Sequence, residues 1–240
     1  IVAEFAASPF GEMAFTRLML ALAREARFED VDTLLTKLGD DAMDDESWLE
    51  LSQCACSQTD YERSSKYAGN IASPVLSATA RAFQIEFLAG RCQARVSHVD
   101  ELLQLHSAVF DKGHMVAVQS ESAFENVEES ERKIGNLSRL LDDALVGVSI
   151  RLGQAEEFEA SIRALKAIRY ARKRFGALMY FCWALEDASY MALNNGLLGQ
   201  MLGVSEGFRS SDFFQPSVEI ILGCMARMDA AEFHREALEI

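Results

Sequence analysis

Three prolines in 240 residues are few. A β-rich chain of this length needs turn punctuation at intervals of about 8–12 residues, so the scarcity favours helices joined by short loops. No apolar run reaches the roughly 18 residues of a transmembrane helix, and no signal peptide is visible, so no membrane partner is expected. Positive charge is also short. The formal charge is −14, which argues against a general nucleic-acid or anionic-membrane binder, because such proteins set Lys and Arg against phosphates. The acid excess is no terminal tail: residues 1–120 carry 10 basic and 18 acidic side chains, and residues 121–240 carry 13 and 19.

Chemistry-bearing patterns are scarce too. There is no glycine-rich phosphate loop and no Gly-x-Ser-x-Gly motif. His98, His106 and His114 are eight apart and drift about 80° per step on a helix, too far for a metal cluster. The five cysteines, Cys54, Cys56, Cys92, Cys182 and Cys224, match no disulfide or zinc spacing and are expected as buried thiols in a reducing compartment. Cys54 and Cys56 point roughly 200° apart on a helix and cannot easily share a metal. The run Asp40, Asp41, Asp44, Asp45, Glu46 lacks the glycine and alternating oxygens of a calcium loop, and suits the N-terminus of the helix carrying Trp48. Catalytic residues, metal and cofactor are therefore all expected to be none.

What is present is repetition. "FEDVDTLLTKLGD" from Phe28 returns as "FENVEESERKIGN" from Phe124, with five of thirteen positions identical. Taking the opening aromatic as a marker, Tyr61 follows Phe28 by 33 and Phe158 follows Phe124 by 34, and Phe233 lies in "AEFHREALEI". Weaker units at Val96 and Leu197 fill the gaps. Most markers open a helical pattern: Val31, Leu34, Leu35 and Leu38 after Phe28, and Ile162, Leu165 and Ile168 after Phe158. Helical stretches precede them, with Phe15, Leu18, Leu22 and Ala26 on one face, then Trp48, Leu51 and Ala55, then Leu141, Leu145, Val148 and Leu152. The unit is a helix, a short turn and a second helix in about 34 residues.

This pattern resembles the tetratricopeptide repeat, in which antiparallel helix pairs recur every 34 residues. Trp48 with Leu51, and Phe15 with Leu18, match its aromatic-x-x-Leu first helix, and Tyr61 and Phe28 match its second-helix aromatic. The turn glycine is missing, replaced by Ala26 and Thr59, and a closing proline stands only at Pro74. The spacing is equally similar to the pentatricopeptide family, with "AFTRLMLALAREARF" in its first-helix slot. Either resemblance implies an all-α, right-handed superhelical solenoid of αα-hairpins over residues 1–240. It has about six full repeats, with second helices opening at Phe28, Tyr61, Val96, Phe124, Phe158, Leu197 and Phe233. A single helix pair cannot bury its apolar stripe, whereas stacked pairs share one core. Both ends are expected to fall inside a repeat, and the chain is expected to be a piece of a longer solenoid.

The resemblance implies a non-enzymatic interaction scaffold that holds a peptide or partner helix in a concave groove of first helices. It places Arg24, Gln53, Gln84, Arg91 and Gln154 on the groove's inner face. The pentatricopeptide alternative implies a component of an RNA–protein complex. The acidic charge argues against direct RNA binding but not against a protein-contacting role in such a complex. A third reading is a small-molecule sensor or enzyme domain built on the solenoid, resting on the irregular stretches 107–123 and 203–217. One basic stripe stands out: Arg163, Lys166, Arg169 and Lys173 recur at three or four, with Arg172 and Arg174 beside them. It suits ion pairing between repeats, with Glu129 near Arg163, or an acidic or phosphorylated partner, or RNA. The cytoplasm is the expected compartment, with a mitochondrial or other organelle matrix as the alternative.

Overall fold

A computed structural model describes residues 9–38, 43–110, 127–187 and 195–238. The described residues are helical, with no strand among them. Among the described residues eleven helices follow in order: α1 Pro9–Arg24, α2 Phe28–Leu38, α3 Asp45–Ser57, α4 Tyr61–Ala68, α5 Pro74–Gly90, α6 Val96–Phe110, α7 Val127–Gln154, α8 Phe158–Ala167, α9 Ala171–Asp187, α10 Asn195–Glu206 and α11 Phe214–Leu238. No helix among the described residues is long and apolar enough to cross a membrane. The chain divides into two compact units: residues 1–87 with 120–137, and residues 88–119 with 138–240.

One turn geometry punctuates both units. Ala26, Thr59, Cys92 and Glu156 each follow a helix with φ of 58°, 69°, 60° and 63°. At each, the next residue donates its N–H back five positions: Arg27 to Leu22 O, Asp60 to Ala55 O, Gln93 to Leu88 O and Glu157 to Leu152 O, all at 2.9–3.0 Å. The positive-φ residue itself donates three positions back. This is a Schellman cap, which satisfies the last carbonyls of one helix and turns the chain into the next. The caps fall at intervals of 33, 33 and 64 residues.

In the first unit, α1 packs on α2 and α3, and α3 on α4. Its core holds Phe28, Val31, Leu35, Trp48, Leu51, Ala55, Tyr67 and Ile71. Trp48 and Phe28 both pack against the Tyr67 ring, at 6.0 and 6.5 Å between centroids. The α1 face differs from expectation. Met19 and Ala23 are fully buried, whereas Leu18 is 45% exposed and Ala26 lies in the turn. The run "LMLALA" offers two apolar stripes one residue apart, and the helix buries the second.

In the second unit, α8 packs between α6 and α10, and α9 packs on α11. Leu141, Leu145, Val148 and Leu152 of α7 are buried with Ile162, Leu165 and Ile168. A local frame recurs 97 positions after its first appearance. Asp45 accepts N–H bonds from Ala72 and Ser73 at 2.9 and 2.7 Å, and Asp142 accepts them from Arg169 and Tyr170 at 3.0 and 2.9 Å. Ser64 donates to the Ser52 carbonyl at 2.8 Å, and Ser161 to the Ser149 carbonyl at 2.7 Å. The structural offset is thus 97, not the 96 that separates Phe28 from Phe124, and Phe124 lies outside the described residues.

Two further expectations change. Val127–Gln154 is one helix of 28 residues with no turn between "NVEESERKIGN" and "LLDDALVGVSIRLGQ", because Gly135 alone weakens a helix by only about 1 kcal/mol. Phe233 falls inside α11 rather than opening a helix, since no proline or capped turn follows Pro216 in that segment. The irregular stretch at 203–217 narrows to residues 207–213, with Pro216 in the first turn of α11. Residues 111–123 of the other irregular stretch lie outside the described residues.

Candidate binding surface

In the first unit, α1, α3 and α5 line a cleft of about 390 Å³, walled by Ala23, Arg24, Glu50, Gln53, Cys54, Ser57, Gln58 and Phe83. Arg24 and Gln53, expected on a groove, meet here. Arg24 ion-pairs with Glu50, and its side chain stays 64% exposed. That hydrogen bond pushes the Arg24 guanidinium above its usual value. Burial, followed by the nearby Glu50 carboxylate, pushes the Cys54 thiol up. Phe83 stacks on Phe87 at 6.3 Å and gives the cleft an aromatic wall. Two amides, a hydroxyl and one compensated ion pair beside an aromatic ring can bind polypeptide through hydrogen bonds and one apolar side chain.

Gln84 sits elsewhere. It is 3% exposed, donates to Ser64 Oγ at 2.7 Å and accepts from Arg81 at 2.9 Å. It completes a buried polar cluster with Ser52 and Ser64. Arg91 and Gln154 belong to the second unit. Arg91 is exposed at the end of α5, and Gln154 is exposed at the end of α7, where its Oε1 accepts from Arg151 at 2.8 Å.

The basic stripe divides. α8 ends at Ala167, and Ile168 turns extended with ψ 123°, so Arg163 and Lys166 lie on α8 while Lys173 lies on α9. The two Asp142 bonds to Arg169 and Tyr170 hold that break. Arg163 pairs with Asp100 at 2.7 Å, and Lys173 with Asp143 at 2.6 Å. Glu129's side chain lies outside the described ones. Lys166 is exposed beside Gly203 of α10, and Arg169 is exposed in the α8–α9 connection. Arg174 turns inward to 9% exposure, donates to the Ile168 carbonyl at 2.6 Å and is pushed below its usual value by burial.

The acidic run caps, where it is described. Asp44 accepts from Ser47 N at 2.8 Å as the α3 N-cap, with Asp45 and Glu46 in the first turn. His98 Nδ1 accepts from Arg95 N at 3.2 Å, and His114 lies outside the described residues. No group of three His, Cys, Asp or Glu able to hold a metal occurs among the described residues. Sequence reasoning missed Glu50, Cys54 and Phe83. Phe83 was legible as one of two aromatics four apart in "AFQIEF", a pair that faces one side of a helix.

No protein-family model matches the chain, and no curated protein and no solved structure is similar to it at a significant level.

Proposed function

We propose that the chain is an αα-hairpin repeat scaffold, of tetratricopeptide or pentatricopeptide type, that binds a peptide or partner helix on the face formed by its first helices. The observation that carries this reading is the cleft on α1, α3 and α5, the helices that precede three successive Schellman caps at Ala26, Thr59 and Cys92. The packing of α8 between α6 and α10 supports a stacked array in which each hairpin rests on its neighbours. A right-handed superhelix is part of the proposal.

The test is a pull-down from native lysate analysed for both protein and RNA, comparing the native chain with Arg24→Glu/Gln53→Ala. Both positions line the open cleft, so the thermal midpoint should barely move. A defined protein retained by the native chain and lost by the variant supports the groove. Retention by both places binding elsewhere, and recovery of RNA without protein favours the RNA-complex reading.

A further inference from the structure

The 97-residue recurrence allows the first unit's cleft to be mapped onto the second unit. Phe83 corresponds to Tyr180, Gln53 to Ile150, Cys54 to Arg151, Ser57 to Gln154 and Glu50 to Gly147. α7 and α9 are neighbours there as α3 and α5 are in the first unit: a Cβ on Gly153 would lie 3.3 Å from Phe181 and 3.7 Å from Ala184. The equivalent face has different chemistry. Tyr180 and Trp183 are 51% and 50% exposed and meet edge to face at 5.1 Å. Both belong to α9, whose outward stripe at helical spacing also contains Arg172 and Gly176.

The charge of this face differs from that of the chain. Glycine replaces the acid that neutralises Arg24 in the first unit, and arginine replaces a thiol. Arg151 donates to Gln154 Oε1 and, at 3.2 Å, to the Ala89 carbonyl, and meets no carboxylate among the described residues. Arg172 is exposed and likewise has no carboxylate partner among them. Two nearby acids with described side chains are engaged: Asp143 with Lys173, and Glu186 with Arg227. Arg172 thus shares the α9 stripe with two half-exposed aromatic rings, and Arg151 takes the mapped position of Cys54, which shares the first unit's cleft with Phe83, in a protein of net charge −14. Arg, Tyr and Trp are the residue types that dominate interface hot spots.

We propose that this face of α7 and α9 docks an acidic peptide segment, with an apolar side chain seated on Tyr180 and Trp183 and carboxylates meeting Arg151 and Arg172. Arg172 and Trp183 are eleven residues apart, a rise of about 16 Å on the helix, which about five extended residues of a partner span. Single-stranded RNA also stacks on aromatics. Two cations in an acidic chain supply few of the phosphate contacts such binding needs, so the peptide is favoured.

The experiment selects a random short-peptide display library on the intact chain. Selected peptides are then measured by protection of tryptophan fluorescence from acrylamide. Trp183 is half exposed while Trp48, the second tryptophan, is 2% exposed, so quenching reports this face. The expected peptides are rich in Asp and Glu around a Leu, Phe or Tyr. They should bind at least about tenfold more weakly to Tyr180→Ala, which keeps the Trp183 probe, and to Arg172→Glu, and weaken with salt. Both substitutions are on exposed side chains, and an unchanged thermal midpoint shows that the variants fold. Arg24→Glu should leave this binding intact, so the face stands or falls separately from the first unit's cleft. Selected peptides that are neutral or basic, or that bind all variants alike, overturn the proposal. So does protection of Trp183 by a random single-stranded RNA where no acidic peptide protects it.

Discussion

Arg174 lays its guanidinium over the ring of Phe208, with Cζ 5.3 Å from the ring centre. The same group closes on Gly207: a Cβ there would overlap one guanidinium nitrogen. Gly207→Ala should displace Arg174 from the Ile168 carbonyl and cost about 1–3 kcal/mol in chemical denaturation. In an Arg174→Ala background the same change should cost far less, because the obstacle is gone. Equal costs in both backgrounds would place the strain elsewhere.

The Asp142 carboxylate is fully buried and holds two backbone N–H groups at the start of α9. Asp142→Ala leaves both donors without an acceptor and should lower stability by about 2–3 kcal/mol. Asp45 makes the corresponding bonds from a half-buried position. Asp45→Ala should therefore cost less, since water can replace the lost acceptor. Urea titration of the two variants decides the order.

Phe28 is 4% exposed, packs on Tyr67 and carries the Arg63 guanidinium over its ring at 5.4 Å. Phe28→Ala should cost about 3–5 kcal/mol. In a stacked array the loss stays near its origin, so hydrogen exchange should quicken first in residues 9–87 and later in 138–238. A uniform loss of protection along the chain would argue for a single cooperative bundle instead.

Burial, then the Asp32 carboxylate that accepts its hydroxyl at 3.1 Å, pushes the Tyr67 phenol up. Below the ordinary phenol value of about 10, both folded and unfolded states keep it neutral. Above that value the unfolded phenol ionises first, so this contribution to stability is lost as pH rises. Tyr67→Phe should flatten the alkaline fall and cost about 1 kcal/mol at neutral pH. Stability curves of both proteins between neutral and alkaline pH provide the comparison.

Thiol labelling should follow burial. Cys92 is exposed and should react first, with half-buried Cys54 next. Cys56, Cys182 and Cys224 are buried and should label after unfolding. Hydrogen bonding to Cys224, then burial, pushes the Cys182 thiol up and slows it further. Time-resolved alkylation with peptide mapping reads the sequence of events.

The helical class was legible because periodicity is a property of one helix at a time. α3 shows this: Trp48, Leu51 and Ala55 have one apolar stripe to offer, and all three are buried. α1 offered two stripes, and the choice between Leu18 and Met19 depends on α2 and α3, which periodicity within α1 does not contain. The same limit hid half of the cleft. Arg24 and Gln53 are placed on a groove by the family resemblance, but Phe83 reaches them only through packing of separate helices. The basic run misled for a local reason. Its spacing is helical throughout, yet Asp142, 27 residues before Arg169, caps a new helix in the middle of it.

The four Schellman caps have a bearing on how such a chain is recognised. Their left-handed residues are Ala26, Thr59, Cys92 and Glu156, and none is glycine. The left-handed conformation costs a residue with a Cβ roughly 1–2 kcal/mol, part of which glycine returns through its greater unfolded freedom. Glycine at any one of them should therefore raise stability by about 0.5–1 kcal/mol. The hydrogen bonds of the turn are backbone to backbone, so they persist whichever letter occupies the position. The geometry that joins these helices is thus written in no particular residue, and a reader looking for glycine at the turns would pass over all four.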